Sequence, residues 1–312
     1  METIPCPVCG STDFARFLEV PDRFDSAGEK RWPLVNCLCC GLIMLNPRPG
    51  AHEMKPFYPS GLYGPHLVES DGAEKGARFY LAARRLLLGY RAGIVLKNKR
   101  KPLNELSVLE VGCSTGELLG FLNRKKGIPS GQLAGIETDT AARKHAGNSF
   151  GLEVHSSIPG DAWEGRKFDR IVLWHALEHI HAVGETLTRL SELLGEEGVM
   201  VIALPNPGST DAGFYRENWI AWDAPRHLYH FTPMTLGKLL EKHRFIVSGS
   251  MPYFPDTLYN LVHSEKLTCR KKNKPFNAIR LVRAGLRTAV SLTGYFSSPS
   301  CASGMVYFAR KA

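Results

Sequence analysis

Residues Val108–Leu118 read V-L-E-V-G-C-S-T-G-E-L. Val108, Leu109 and Val111 are apolar; Gly112, Ser114 and Gly116 are small; helix-forming residues follow. That is the pattern of a strand, a tight turn and a helix start, in which small residues let the backbone approach a nucleotide-like ligand closely. Glu110 lies two positions before the first glycine, inside the strand. A second acid, Glu137, follows the next apolar run, 21 residues beyond Gly116. That separation is close to the spacing of about 20 expected of an acid that accepts ribose hydroxyls. One acid at each place points to a ligand with an amino-acid tail as well as a ribose.

Outward from this turn the chain alternates strand and helix. Strands are expected near Ser107–Val111, Gln132–Ile136, Leu152–His155, Phe168–Trp174 and Val199–Leu204, with helical stretches including Glu117–Lys126 and Glu185–Leu194. Phe245–Met251 and Met305–Arg310 read as a final pair of strands at the sheet edge. The fold class is α/β, a doubly wound sheet whose ligands sit at the carboxyl ends of its strands. The fourth strand, F-D-R-I-V-L-W, runs into His175-Ala-Leu-Glu178-His179 at that face, and the fifth ends in the rigid Leu204–Pro207.

Before this domain the chain carries two C-x-x-C-G units, Cys6/Cys9 with Gly10 and Cys37/Cys40 with Gly41. Four thiolates suit tetrahedral zinc, and four protein ligands leave no open position, so the metal expected is structural. Cys39 lies between the second pair as a bystander. The stiff N-P-R-P-G segment at Asn46–Gly50 ends the module. Residues 1–50 are thus a zinc-binding module and 51–104 a helical connector with an amphipathic helix over Gly72–Lys97. Residues 105–312 form the ligand-binding domain, with an insertion over about 255–300 before the last strand. Tyr58, Tyr63 and Tyr80 of the connector are candidates to line the site.

The 312 residues carry 39 basic and 30 acidic side chains, a net charge of +9. The clearest basic clusters are Lys97–Lys101 and Arg270–Lys274. No run is long and apolar enough to span a bilayer and the N-terminus does not read as a signal peptide, so a cytoplasmic location is expected. Asn277–Phe296 is amphipathic and follows a basic cluster, so residues 270–296 offer peripheral membrane contact as an alternative to covering the site mouth.

Taken together these residues resemble the class I S-adenosylmethionine (SAM)-dependent methyltransferases. Glu110-Val-Gly112-Cys113-Ser114-Thr-Gly116 is similar to their E-x-G-x-G-x-G motif, with Ser114 in place of the middle glycine. Gly135–Glu137 and the segment from Phe168 to Ile180 look like their second and fourth motifs. More specifically, the chain resembles bacterial members with an N-terminal C-x-x-C-G…C-x-x-C-G-L…N-P-R-P zinc module and a downstream W-x-x-x-D-x-P-R-H-L-x-H-F segment, here Trp219 to Phe231. The resemblance implies a Rossmann-like seven-stranded sheet and SAM as methyl donor. It places Gly112, Cys113, Ser114 and Gly116 beside the donor's amino-acid end with Glu110, Glu137 on its ribose, and Trp174 and His175 beside the cofactor.

Methyl transfer from a sulfonium is an in-line displacement that often needs a base. Histidine suits that role near neutral pH. The candidates are His227, then His230, with His175 nearer the cofactor; Arg226 reads as a fork for an acidic acceptor. The expected acceptor is a small molecule or sugar-like glycan precursor. Three rival readings exist. His175-Ala-Leu-Glu178-His179 matches the H-x-x-E-H protease signature, but it follows a strand of a cofactor-binding sheet. A dehydrogenase could use the same glycine turn. An RNA modifier could grip nucleic acid through the module and the basic clusters. Between the cysteine pairs, however, five acids (Asp13, Glu19, Asp22, Asp25, Glu29) face four bases (Arg16, Arg23, Lys30, Arg31), which makes nucleic acid an unfavoured partner.

Overall fold

The structure is a computed structural model and describes residues 1–25, 30–58, 75–160, 163–272, 274–297 and 301–312. Eleven strands form among the described residues, and seven of them have counterparts in the sequence pattern. Strands β1 (Phe14–Pro21), β2 (Arg31–Cys37) and β3 (Ile43–Leu45) follow the first cysteine pair. A long helix α1 (Lys75–Val95) precedes β4 (Val108–Val111). Then come α2 (Glu117–Lys126), β5 (Leu133–Ile136), α3 (Thr140–Phe150), β6 (Glu153–His155), β7 (Phe168–Trp174), α4 (Val183–Leu193) and β8 (Leu194–Pro205). The chain continues through α5 (Thr210–Tyr215), β9 (Tyr229–His230), α6 (Pro233–Lys242) and β10 (Phe245–Pro252). It ends with α7 (Phe254–Lys271), α8 (Ala278–Ser297) and β11 (Gly304–Lys311).

The main sheet has seven strands in the order β10-β11-β8-β7-β4-β5-β6. β4 pairs in parallel with both β5 and β7, and β7 with β8; β11 is antiparallel to β8 and to β10. The chain order reverses at β4 and β7, the topological switch where an open α/β sheet holds its ligand. These strands are β-branched and apolar because both faces are covered. On one face Leu109, Val111, Ile171, Leu173, Met200 and Ile202 join Leu187 and Leu190 of α4. On the other, Val108, Val172, Val199 and Val201 join Leu119 and Leu122 of α2 and Ala92 of α1.

A second sheet, β1-β2-β3-β9, is completed by a strand from far downstream: Ile43 pairs with His230 and Met44 with Tyr229. The cysteine module therefore shares its core with the methyltransferase-like domain. Leu42, Met44 and Leu45 are buried in the same cluster as Trp219, Trp222 and Phe231.

Two elements depart from the sequence pattern. β8 begins at Leu194 rather than Val199, because the Gly195–Gly198 excursion returns to the β7 ladder at Val199. The insertion holds two helices, not one. On α8, Ile279, Val282, Leu286 and Val290 stand 61–76% exposed on one stripe. Tyr63 and residues 72–74 lie outside the described residues, as does the Tyr80 side chain. Among the described residues no helix is long and apolar enough to cross a membrane.

Candidate functional site

The turn after β4 takes left-handed backbone at Gly112 (φ +74°), Ser114 (φ +49°) and Gly116 (φ +80°). Glycine adopts this without strain; Ser114 does so at a cost of about 1 kcal/mol. Side chains would not fit at the two glycines either. A Cβ at Gly112 would lie 2.9 Å from the Ala176 Cβ, and one at Gly116 2.8 Å from the Ala146 Cβ. Gly112 and Cys113 donate their N–H groups to the Ile136 carbonyl, which locks the turn onto β5. Cys113 itself points into the core, with its Sγ against Gly135, so it meets a ligand only through its backbone.

Glu137 reaches the turn. Its Oε2 accepts the Ser114 N–H at 2.9 Å and its Oε1 the Asp139 N–H at 2.8 Å. Thr138 Oγ1 donates more weakly to the same Oε1, at 3.4 Å, so of the carboxylate's roughly four lone-pair directions the free one on Oε2 is open to a ligand hydroxyl. Glu110 is buried, and its Oε2 has no hydrogen-bond partner. Burial pushes its carboxyl up to about 8, opposed by the Arg91 charge. On the same face, Trp174 is buried beneath Arg91, whose guanidinium lies 5.0 Å from the indole, and against Tyr253 at 4.9 Å. An orphaned buried carboxylate is the environment that a ligand ammonium would satisfy. The residues of this turn therefore fit the donor that the sequence implies.

Beyond β7 the chain makes a short 3-10 turn, Leu177–His179. His175, at φ +51°, sends Nε2 to Asp256 of α7 at 2.7 Å. Burial would lower its pKa, but the Asp256 and Glu178 carboxylates together outweigh that and raise it to about 10. His175 is thus held as an imidazolium. Glu178 is 1% exposed, and neither of its oxygens has a hydrogen-bond partner. His175 Nδ1 stands 3.4 Å from Glu178 Oε1.

The Trp219–Phe231 segment folds over this turn. His227 donates from Nδ1 to the Ala221 carbonyl at 2.8 Å, which leaves its Nε2 as a lone pair. That Nε2 is 3.9 Å from both Glu178 Oε1 and Asp223 Oδ2. Burial holds His227 well below the usual histidine range and lowers His179 as well. The two rings meet edge-to-face at 4.7 Å, and Tyr58 Oη lies 3.1 Å from His179 Nδ1. His230 is 3% exposed, packs edge-on to Trp222 at 4.8 Å, and burial lowers it to about 3.

Arg226 does not offer a fork to an acceptor. Its side chain is fully buried; Nε reaches Asp223 Oδ1 at 2.8 Å, Nη2 Asp22 Oδ1 at 2.7 Å and Nη1 the Phe57 carbonyl at 3.0 Å. These partners tie the first module to the Trp219–Phe231 segment. Sequence reasoning also missed Asp256, Arg91 and Asp22, which lie in distant elements with no motif of their own.

At the other end of the chain four thiols converge. Cys6 Sγ is 3.5 Å from Cys40 Sγ, Cys9 Sγ is 3.5 Å from Cys37 Sγ, and all four sulfurs lie within 4.8 Å of one another. A tetrahedron with bonds of about 2.3 Å would separate its sulfurs by about 3.8 Å, so the cluster fits a zinc ion closely. All four cysteines are free thiols, and Cys39 is exposed.

A family model described as a methyltransferase domain matches residues 77–247. The chain is 27% identical over 112 residues to a ubiquinone biosynthesis O-methyltransferase of Pelagibacter ubique, covering 36% of this chain and 47% of that protein. The chain therefore spans about half the length of the curated relative it matches. Its fold is similar to that of geranyl diphosphate C-methyltransferase from Streptomyces coelicolor A3(2), with a TM-score of 0.52 and 8% identity over 84% of this chain and 97% of that one. It is also similar to magnesium protoporphyrin IX methyltransferase from Synechocystis PCC 6803, with a TM-score of 0.50 and 9% identity over 84% and 100%. The sheet order, the glycine turn and the family match over more than half of the residues agree: this chain belongs to the methyltransferase domain family and has the Rossmann-like fold of class I methyltransferases.

Proposed function

We propose that the protein transfers a methyl group from SAM to a small-molecule or sugar-like acceptor. The observation that carries this reading is the pairing of Glu110 and Glu137 on either side of the left-handed turn. One is an unsatisfied buried carboxylate for the donor's ammonium, and the other is anchored on the turn beside the ribose position. SAM supplies the electrophilic methyl group. The chain's own residues bind the donor, exclude water and handle the acceptor's proton.

Of the three candidate histidines, His227 is the one that can accept a proton. Its Nδ1–H is spent on Ala221, so its Nε2 lone pair faces the space beyond β7. His175 already carries its proton for Asp256, which suits it to steady negative charge developing on the acceptor. His230 is a packing residue under Trp222.

The four cysteines are read as a structural zinc site that fixes the small sheet, and with it β9 and the His227 loop. The exposed apolar stripe of α8 lies in a stretch, residues 266–297, that contains eight Lys and Arg and no acid. That supports delivery of the acceptor at an anionic membrane surface. Small-molecule transfer, rather than RNA modification, is favoured by the acidic balance of the module.

The test is transfer of labelled methyl from SAM into fractionated cell metabolites. His227→Gln is expected to lose most turnover while retaining SAM affinity. Full turnover in that variant, or label appearing only in RNA, would overturn the reading.

A further inference from the structure

A buried carboxylate without a hydrogen bond is costly, and Glu178 leaves both of its oxygens in that state at 1% exposure. One neighbour answers this in part: the His175 imidazolium pairs with Glu178 Oε1 at 3.4 Å, and Oε2 has no hydrogen-bond partner among the described residues. His175 is committed to Asp256 through Nε2, and its Nδ1 faces Glu178 outside hydrogen-bond geometry. The groups that do converge on Glu178 are metal ligands. One ring nitrogen of His179, one of His227 and one carboxylate oxygen of Glu178 all lie within 4.8 Å of one another.

The shell behind them is the one that metal-ligating histidines use. Ligating imidazoles give their second nitrogen to a carbonyl, hydroxyl or carboxylate, which fixes the tautomer and aims the lone pair. A carbonyl can only accept, so His227 must carry its proton on Nδ1 toward Ala221 and present a bare Nε2. His179 Nδ1 lies 3.1 Å from Tyr58 Oη, which leaves Nε2 as its ligand atom. Asp223 Oδ2, 3.9 Å from His227 Nε2, stands at the edge of the group.

We infer that Glu178, His179 and His227 form a second metal site, one for a divalent ion of the Mn2+ or Zn2+ class. Two imidazoles and one carboxylate make a borderline nitrogen and oxygen donor set, distinct from the all-thiolate cluster and unlike the all-oxygen sets that Ca2+ and Mg2+ prefer. Three protein ligands leave coordination positions open. An ion held there would polarise an acceptor oxygen and so ease the loss of its proton. The inference rests on the methyltransferase reading only for this consequence; the site itself follows from the three side chains.

Mn2+ separates the two metal sites, because a four-thiolate cluster disfavours it. Full-length protein carrying a single equivalent of zinc, which the four thiolates take up first, is titrated with Mn2+, and free Mn2+ is followed by electron paramagnetic resonance. The wild type is expected to bind one equivalent with no SAM present. Glu178→Gln, which keeps the shape of the side chain, should weaken binding by about a hundredfold or more. His179→Ala, at a half-buried position, should do the same. Absence of Mn2+ binding in the wild type, or binding that Glu178→Gln and His179→Ala leave unchanged, would overturn the site. Either result would leave SAM binding, and so the methyltransferase reading, unaffected.

Discussion

Replacing Arg226 with Met should destabilise the protein through Asp22. The guanidinium is fully buried, and it holds two carboxylates that are themselves only 5% and 9% exposed. Removing one partner of a buried pair typically costs about 3–5 kcal/mol, because the other charge is left in a poor dielectric. Here the two orphans are not equal. Asp223 keeps an ion pair with Arg23 at 2.8 Å. Among the described residues Asp22 keeps only the Phe24 N–H, on the same oxygen. One carboxylate is thus stranded, which puts the expected loss near the lower end, about 3 kcal/mol. That is about two powers of ten in the folded-to-unfolded ratio. Urea unfolding followed by tryptophan fluorescence is a suitable assay, since Trp219 and Trp222 pack in the same segment at 4.9 Å. The double variant Asp22→Asn with Arg226→Met should recover a large part of the loss, since the stranded charge is then gone. A change below about 1 kcal/mol in Arg226→Met, together with a raised acceptor KM, would refute the structural role. The arginine would then belong to the acceptor site.

Gly116→Ala should cost about 2–4 kcal/mol in thermal unfolding, from left-handed backbone and from a Cβ 2.8–2.9 Å from Ala146 and Leu152; a neutral result would mean that the turn differs. Glu110→Gln should weaken SAM binding by about tenfold in calorimetry, the worth of one charge-assisted hydrogen bond. The same substitution tests a pH effect. With its carboxyl raised from 4.5 to about 8 in the folded state, Glu110 makes the ligand-free protein lose stability as pH rises from about 4.5 to 8. That part of the decline should vanish in Glu110→Gln, as followed by melting temperature across pH. Cys37→Ser should abolish the stoichiometric zinc measured by mass spectrometry and cost several kcal/mol, because structural metal binding is folding energy; retention of zinc would reject the four-cysteine site.

The central sheet was legible because its strands are short apolar runs bounded by turn residues, and β7 falls on Phe168–Trp174 as its sequence pattern predicts. Helix α7 was not legible. Its buried face is Thr257, Asn260, Ser264 and Glu265 beside Leu261, so no apolar periodicity marks it. That helix carries Asp256, the group that sets the charge of His175. The small sheet was half legible. The cysteine pairs announce the module, but its fourth strand is two residues, Tyr229–His230, borrowed from a distant segment. Arg226 was read as functional because a lone arginine among aromatics looks exposed in sequence. Its partners Asp22 and Phe57 are 204 and 169 residues away, and only folding brings them to it.

The most direct test of the account is calorimetric titration of the wild-type protein with SAM and, separately, with NAD. The turn flanked by Glu110 and Glu137 predicts saturable one-to-one binding of SAM and no binding of NAD. Tight NAD binding with no heat from SAM would contradict it.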